Sequence, residues 1–228
     1  MNGKPDMQSL KKRVILRMAL IGVIMGSVFF LTAGTTGYWE AWAYLITIGF
    51  PMILFVASMF KQDPKFLERR MKTTEKRPQQ KRIVKIGGLP YLLVFVLPGL
   101  DKRFGWSDVS VPLTLAGLVL TLLGYLSTLH LFRTNSYAAR VVEVENEQKV
   151  ISTGPYARIR HPMYASVMVF YLCSPLALGS WWAMIPSLFI IPLLMIRILD
   201  EEKELAEHLE GYREYMRKVR YRLIPGIW

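Results

Sequence analysis

Two short charged clusters in this chain carry residue types that can do chemistry, and an apolar hairpin separates them. The first is GPYARIRHPMY, Gly154 to Tyr164, which puts Arg160 and His161 just ahead of Pro162 and a hydrophobic run. The second is RILDEE, in which Arg197 is followed by Asp200, Glu201 and Glu202. Proline suits the first position of a helix, where its missing N–H would have had no partner, so Pro162 marks a helix start. Arg197 and Glu201 are four apart and share one face of a helix. Two clusters at the two ends of one hairpin must end on the same side of whatever the hairpin crosses. Ionisable groups at the edge of hydrocarbon are costly and usually face a bundle interior or a wet cavity.

Carboxylates and cations at one mouth, with Tyr156, Tyr164 and Tyr171 behind them, suit a zwitterionic, partly cationic cosubstrate. Carboxylates would receive an ammonium, Arg or His a carboxylate, and tyrosine faces a sulfonium. S-adenosylmethionine has those groups. Other chemistries fare worse. The lone site histidine lacks the ligand cluster a metal needs. No Ser/His/Asp grouping stands in a recognisable context, and Ser152 and Ser166 are ordinary. A GxGxxG phosphate loop is absent, which excludes a Rossmann cofactor domain.

The elements that must position these clusters are membrane spans. Of 228 residues 52% are apolar and only 20% charged, and the charges fall in blocks separated by long apolar runs. A bilayer-spanning helix needs about 20 such residues. The net charge of +12 resides in loops between the runs, the usual pattern of a cytoplasmic membrane face rather than of a nucleic-acid binder. The single cysteine, Cys173, excludes an intrachain disulfide and a Cys-cluster metal site.

In chain order, a basic arm leads to a retained first span, Arg17 to Gly37, with Gly22 and Gly26 spaced for close helix approach. Tyr38, Trp39 and Trp42 form an aromatic belt, Glu40 is read as a solvated rim residue, and a second span ends near Phe60. Residues Lys61 to Lys85 hold ten Lys/Arg against three Asp/Glu, a positive-inside signal. A short third span, Ile86 to Leu100, has Gly87, Gly88, Pro90 and Pro98 at its ends. Asp101 to Asp108 is an external turn, and Val109 to Phe132 is the fourth span. Met163 to Leu178 and Trp181 to Ile198 form the hairpin, kinked by Pro175, Pro186 and Pro192. From Leu205 to Val219 apolar residues recur at helical spacing, one face of an amphipathic helix bent at Gly211. The expected fold is therefore an all-α polytopic bundle of about six spans, or five plus a re-entrant segment, with a C-terminal amphipathic helix. Residues 1–108 are the N-terminal spans with the basic loop, and 109–228 the core bearing the site. Both termini and the site are expected on the cytoplasmic side.

GPYARIRHPMY, then RILDEEKEL, then GYREYMRKVRYRLIP resembles the isoprenylcysteine carboxyl methyltransferase and phospholipid methyltransferase superfamily of membrane enzymes. The likeness covers roughly Leu115 to Pro225. It implies a helical membrane fold that encloses S-adenosylmethionine between the hairpin's cytoplasmic half and the C-terminal helix. By matching positions, Gly154, Pro155 and Tyr156 form a loop over the cosubstrate. Arg160, His161 and Tyr164 bind it, and Glu201 and Glu202 hold its methionine portion. Arg197 orients the acceptor, which makes Arg197 and Glu201 the catalytic pair. Gln148 stands where many members have histidine, and Ser166 where glycine is usual. The implied reaction is methyl transfer to a lipophilic acceptor entering from the bilayer, with membrane lipids as partners and neither metal nor nucleic acid. Two rivals remain: an NADPH-dependent sterol or steroid reductase, which shares the RHP-Y element but lacks the glutamate pair, and a non-catalytic transport or assembly protein.

Overall fold

The computed structural model describes residues 6–71, 78–135 and 149–228, with side chains from residue 80 onward in the second stretch. In order these form α1 (Met7–Ala33), α2 (Trp39–Gln62), α3 (Pro64–Met71), α4 (Pro78–Phe104), α5 (Val111–Thr134), a 3-10 turn (Gly154–Ala157), α6 (Pro162–Ala177), α7 (Met184–His208) and α8 (Tyr212–Lys218). No strand occurs among the described residues. Among them, four helices are long and apolar enough to cross a bilayer: α1, α2, the Gln80–Phe104 part of α4, and α5. Helix α6 is apolar but has only 16 residues, about 24 Å at 1.5 Å per residue. It pairs with α7, whose apolar first part gives way to the charged stretch after Arg197. The chain is an all-helical integral membrane protein.

The lipid-facing surface is what such a protein requires: Ile15, Leu20, Val23 and Leu31 on α1 and Leu188 and Phe189 on α7 are all exposed. The closest helix approach is between α5 and α6, which run antiparallel with small residues between them. A Cβ on Gly117 would lie 2.6 Å from the backbone N of Ala177, and one on Gly124 would lie 2.9 Å from that of Phe170. Only glycine allows this backbone approach. In the membrane, where water gives helices no reason to associate, van der Waals packing of this kind is a main source of cohesion. Ser127 and Ser166 add a hydroxyl pair at 2.8 Å across the same seam.

Three sequence expectations are corrected. A Cβ added at Gly22 or Gly26 would meet nothing within 4 Å, so these glycines make no close helix contact; a Cβ on Gly99 of α4 instead would overlap the Thr32 hydroxyl of α1. The third apolar segment is not short. Helix α4 runs 27 residues and continues through Pro90 and Pro98, as membrane helices tolerate. Glu40 is not a solvated rim residue. It is 9% exposed, and Lys102 Nζ lies 3.0 Å from its Oε1.

Candidate active site

The 3-10 turn and the start of α6 set the geometry. Gly154 has φ +59°, in the left-handed region that glycine tolerates, and turns the chain into the 3-10 turn. Residues 160 and 161 then pair with the segment after α8: Arg160 N–H donates to Tyr221 O and His161 N–H to Arg222 O, both at 2.9 Å. His161 is the cap residue of α6, and Pro162 is its first residue. From this fixed start the side chains of Arg160, His161 and Tyr164 all reach α7.

They reach two different carboxylates. Glu202 is 4% exposed and accepts from three sides. Arg160 Nε lies 2.6 Å from its Oε1, and His161 Nε2 lies 3.1 Å from the same oxygen. Arg222 Nε donates to Oε2 at 2.8 Å. Arg160 is satisfied further by the carbonyls of Val219 and Arg220, at 2.8 and 2.9 Å. Burial by itself would raise the Glu202 pKa. The hydrogen bonds from His161 and Arg160, the nearby His161 charge and the Arg222 bond outweigh it and lower the pKa to about 2. Glu202 is thus a fixed anion inside a cationic shell.

Glu201, one residue earlier and half-buried, faces elsewhere. Tyr164 donates its hydroxyl to Glu201 Oε2 at 2.5 Å, and Arg197 Nε donates to the same phenol oxygen at 3.1 Å. Arg197 and Glu201 therefore meet at Tyr164, as their four-residue spacing allows. A carboxylate with one donor retains lone pairs for another, and a guanidinium carries five N–H groups in all. This trio sets a carboxylate oxygen able to bind a cation beside a guanidinium held by the Tyr164 hydroxyl.

The remaining residues singled out from the sequence lie around this pair. Tyr156 is buried beneath the 3-10 turn; its carbonyl accepts from Tyr215 OH at 2.7 Å, and Asn135 Nδ2 reaches its hydroxyl at 3.3 Å. Burial pushes the Tyr156 phenol above its usual pKa, so it stays protonated. Gly154 and Pro155 are exposed and line a shallow surface groove; they touch neither carboxylate. Gln148 lies outside the described residues. Arg158 and Lys203 are exposed. Among the described residues, no group of three or more His, Cys, Asp or Glu side chains is arranged to hold a metal ion.

Sequence reasoning missed two participants. Arg222 completes the Glu202 shell from 20 residues away, and its only signal was its place in the basic VRYRLIP run. Gln80, fully buried on α4, donates to Asp200 Oδ2 at 2.5 Å and ties α4 to the base of α7. Nothing in the polar stretch around Gln80 distinguished it.

Comparison with known proteins bears on the same half of the chain. Residues 113–211 match the family model described as phospholipid methyltransferase. The match spans α5, α6, α7 and the 3-10 turn, and includes both carboxylates. The chain is also similar in overall path to a solved eukaryotic intramembrane Ras methyltransferase, an isoprenylcysteine carboxyl methyltransferase. The identity there is 16% and the TM-score 0.48, with 94% of this chain and 86% of that chain covered. No curated protein sequence matches.

Proposed function

We propose that this membrane protein, whose residues 113–211 match the phospholipid methyltransferase family, uses S-adenosylmethionine to methylate a lipophilic acceptor, in the manner of an isoprenylcysteine carboxyl O-methyltransferase. The observation that carries the reading is the Glu201–Tyr164–Arg197 trio set beside the saturated Glu202 shell. The donor set fits the cosubstrate. Glu201 retains acceptor capacity for an ammonium, the Arg197 guanidinium and His161 face anions, and the Tyr156 and Tyr164 rings supply the faces a sulfonium favours.

When bound, S-adenosylmethionine supplies an electrophilic methyl group. The protein's own residues do the rest. Glu202 locks Arg160 and His161 in place, so the entrance to α6 is ordered before any ligand arrives. Glu201 receives the ammonium of the methionine portion. Arg197, steadied by Tyr164, turns an acceptor carboxylate toward the methyl position. An acceptor that is already anionic needs no general base, so the residues contribute mainly by positioning it and excluding water. Were the acceptor an amine or thiol, Glu201 would be the group placed to take its proton. Gly154, Pro155 and Tyr156 contribute a loop over the cosubstrate, Gln148 adds a further contact to it, and the site faces the cytoplasm, as do both termini.

The deciding experiment is calorimetric titration of the purified protein in lipid nanodiscs. Saturable binding of S-adenosylmethionine, weakened in Glu201→Gln, is expected, together with methyl label appearing in a lipid fraction. Saturable NADPH binding with no S-adenosylmethionine binding would replace this reading with the reductase.

A further inference from the structure

The segment after α8, residues 219–228, is a strap with two unlike faces. Its inner face belongs to the site. Arg222 reaches Glu202, Leu223 is buried in one apolar cluster with Tyr164 and Ile198, and the Trp228 ring lies 5.1 Å from the Arg222 guanidinium carbon. The strap is closed on itself, because Trp228 O accepts the N–H groups of Arg222, Leu223 and Ile224 at 2.9, 3.0 and 3.2 Å. The outer face is apolar and unburied: Tyr221, Ile224 and Ile227 are 40%, 52% and 78% exposed. Arg217, Lys218 and Arg220 beside them are exposed, as is Arg158 on the 3-10 turn. Residues 217–228 contain four Arg/Lys and no acidic side chain; Glu210 and Glu214 precede the cationic run. Between strap and turn runs a groove of about 470 Å³ lined by Gly154, Pro155, Arg158, Ile159 and Pro225.

Position decides what can cover this face. The strap is hydrogen-bonded to residues 160 and 161, the last two before the apolar helix α6, so it lies where the chain enters hydrocarbon. Exposed isoleucines rimmed by arginines at that level match a bilayer interface, with apolar tips at the acyl boundary and cations among phosphates. We propose that the outer face of the strap docks on the anionic phospholipid surface of the membrane in which the protein sits. Because the same strap holds Arg222 on Glu202, docking also steadies the site. That second consequence rests on the methyltransferase reading, whereas the docking itself does not.

The test uses the full chain with Ile227→Cys in a Cys173→Ala background, labelled with a fluorophore. It is reconstituted in nanodiscs of phosphatidylcholine alone or with phosphatidylglycerol. Anionic lipid is expected to lower quenching by aqueous iodide and to raise quenching by nitroxide-bearing lipid. Arg158→Gln and Arg220→Gln should each shift the docked-to-undocked ratio roughly fivefold, the effect of one charge near an anionic surface. The same label at Ile224→Cys guards against a fault peculiar to one position. Equal iodide access in both lipid compositions would overturn the proposal, as would protection that appears only when two copies share a disc. Docking without any change in S-adenosylmethionine affinity would leave the surface intact and remove only the link to the site.

Discussion

Glu202 at one end of the bundle and Asp101 at the other are both buried carboxylates, and they are satisfied by opposite means. At the basic end Glu202 is enclosed by Arg160, His161 and Arg222. At the far end Asp101, 1% exposed, accepts from neutral donors: Ser107 N–H at 2.7 Å, Ser107 Oγ at 2.6 Å and Ser180 Oγ at 2.5 Å. Those bonds tie the end of α4 to the turn between α6 and α7. Tyr38 adds a bond to Leu178 O at 2.5 Å, and the Glu40–Lys102 pair lies alongside. Neutral donors fill the Asp101 oxygens without bringing a cation to them. The Glu202 shell holds an anion, two guanidiniums and an imidazole ready-ordered, beside a second carboxylate that is not saturated. On the proposed function, this difference sets a structural end apart from a reactive one.

The sharpest way to break the contrast is Glu202→Ala. It leaves Arg160 buried without its partner, and removing one member of a buried pair costs about 3–5 kcal/mol. Thermal melting should fall steeply and S-adenosylmethionine binding should disappear. The same group gives a pH signature. Its pKa falls from 4.5 to about 2 on folding, so its contribution is fully present above pH 4.5 and lost as pH drops toward 2. The loss is on the order of 3 kcal/mol, and Glu202→Gln should flatten that part of the stability profile. Glu201→Gln should weaken S-adenosylmethionine by roughly tenfold to a hundredfold, the loss of one charge-assisted hydrogen bond. Its melting temperature should stay near that of the parent. Asp101→Ala at the far end should reverse that pattern, costing about 2 kcal/mol for stranded donors with the dissociation constant unchanged. Lys102→Met should do least, under about 1 kcal/mol, since the Lys102 side chain is 38% exposed and solvent screens the pair. A binding defect in Asp101→Ala, or none in Glu201→Gln, would undo the division between the two ends.

Much of this was legible in the residue order, for reasons that are local. Apolar runs long enough to span announce themselves, and Pro162 announces the start of α6. Four-residue spacing put Arg197 and Glu201 on one face, where Tyr164 joins them. The errors came from non-local facts. Gly22 and Gly26 have the spacing of a packing motif, but α1 turns Thr32 toward Gly99 and leaves those two open. Pro90 and Pro98 read as helix ends because sequence reading gives proline a solvent context, whereas α4 is a membrane helix packed against α1, α6 and α7. Glu40 read as solvated because its partner Lys102 is 62 residues away.

The sequence by itself determined the membrane, the hairpin and the two charged clusters, since hydropathy and helical period act over neighbouring residues. It could not divide the work between Glu201 and Glu202. Adjacent residues on a helix point about 100° apart, so which of them meets the cations depends on what packs beside α7. The tertiary structure decided that. It brings the strap's Arg222 and the α6 entrance to Glu202 and leaves Glu201 to Tyr164, because two segments that flank the hairpin hydrogen-bond to each other at residues 160–161 and 221–222.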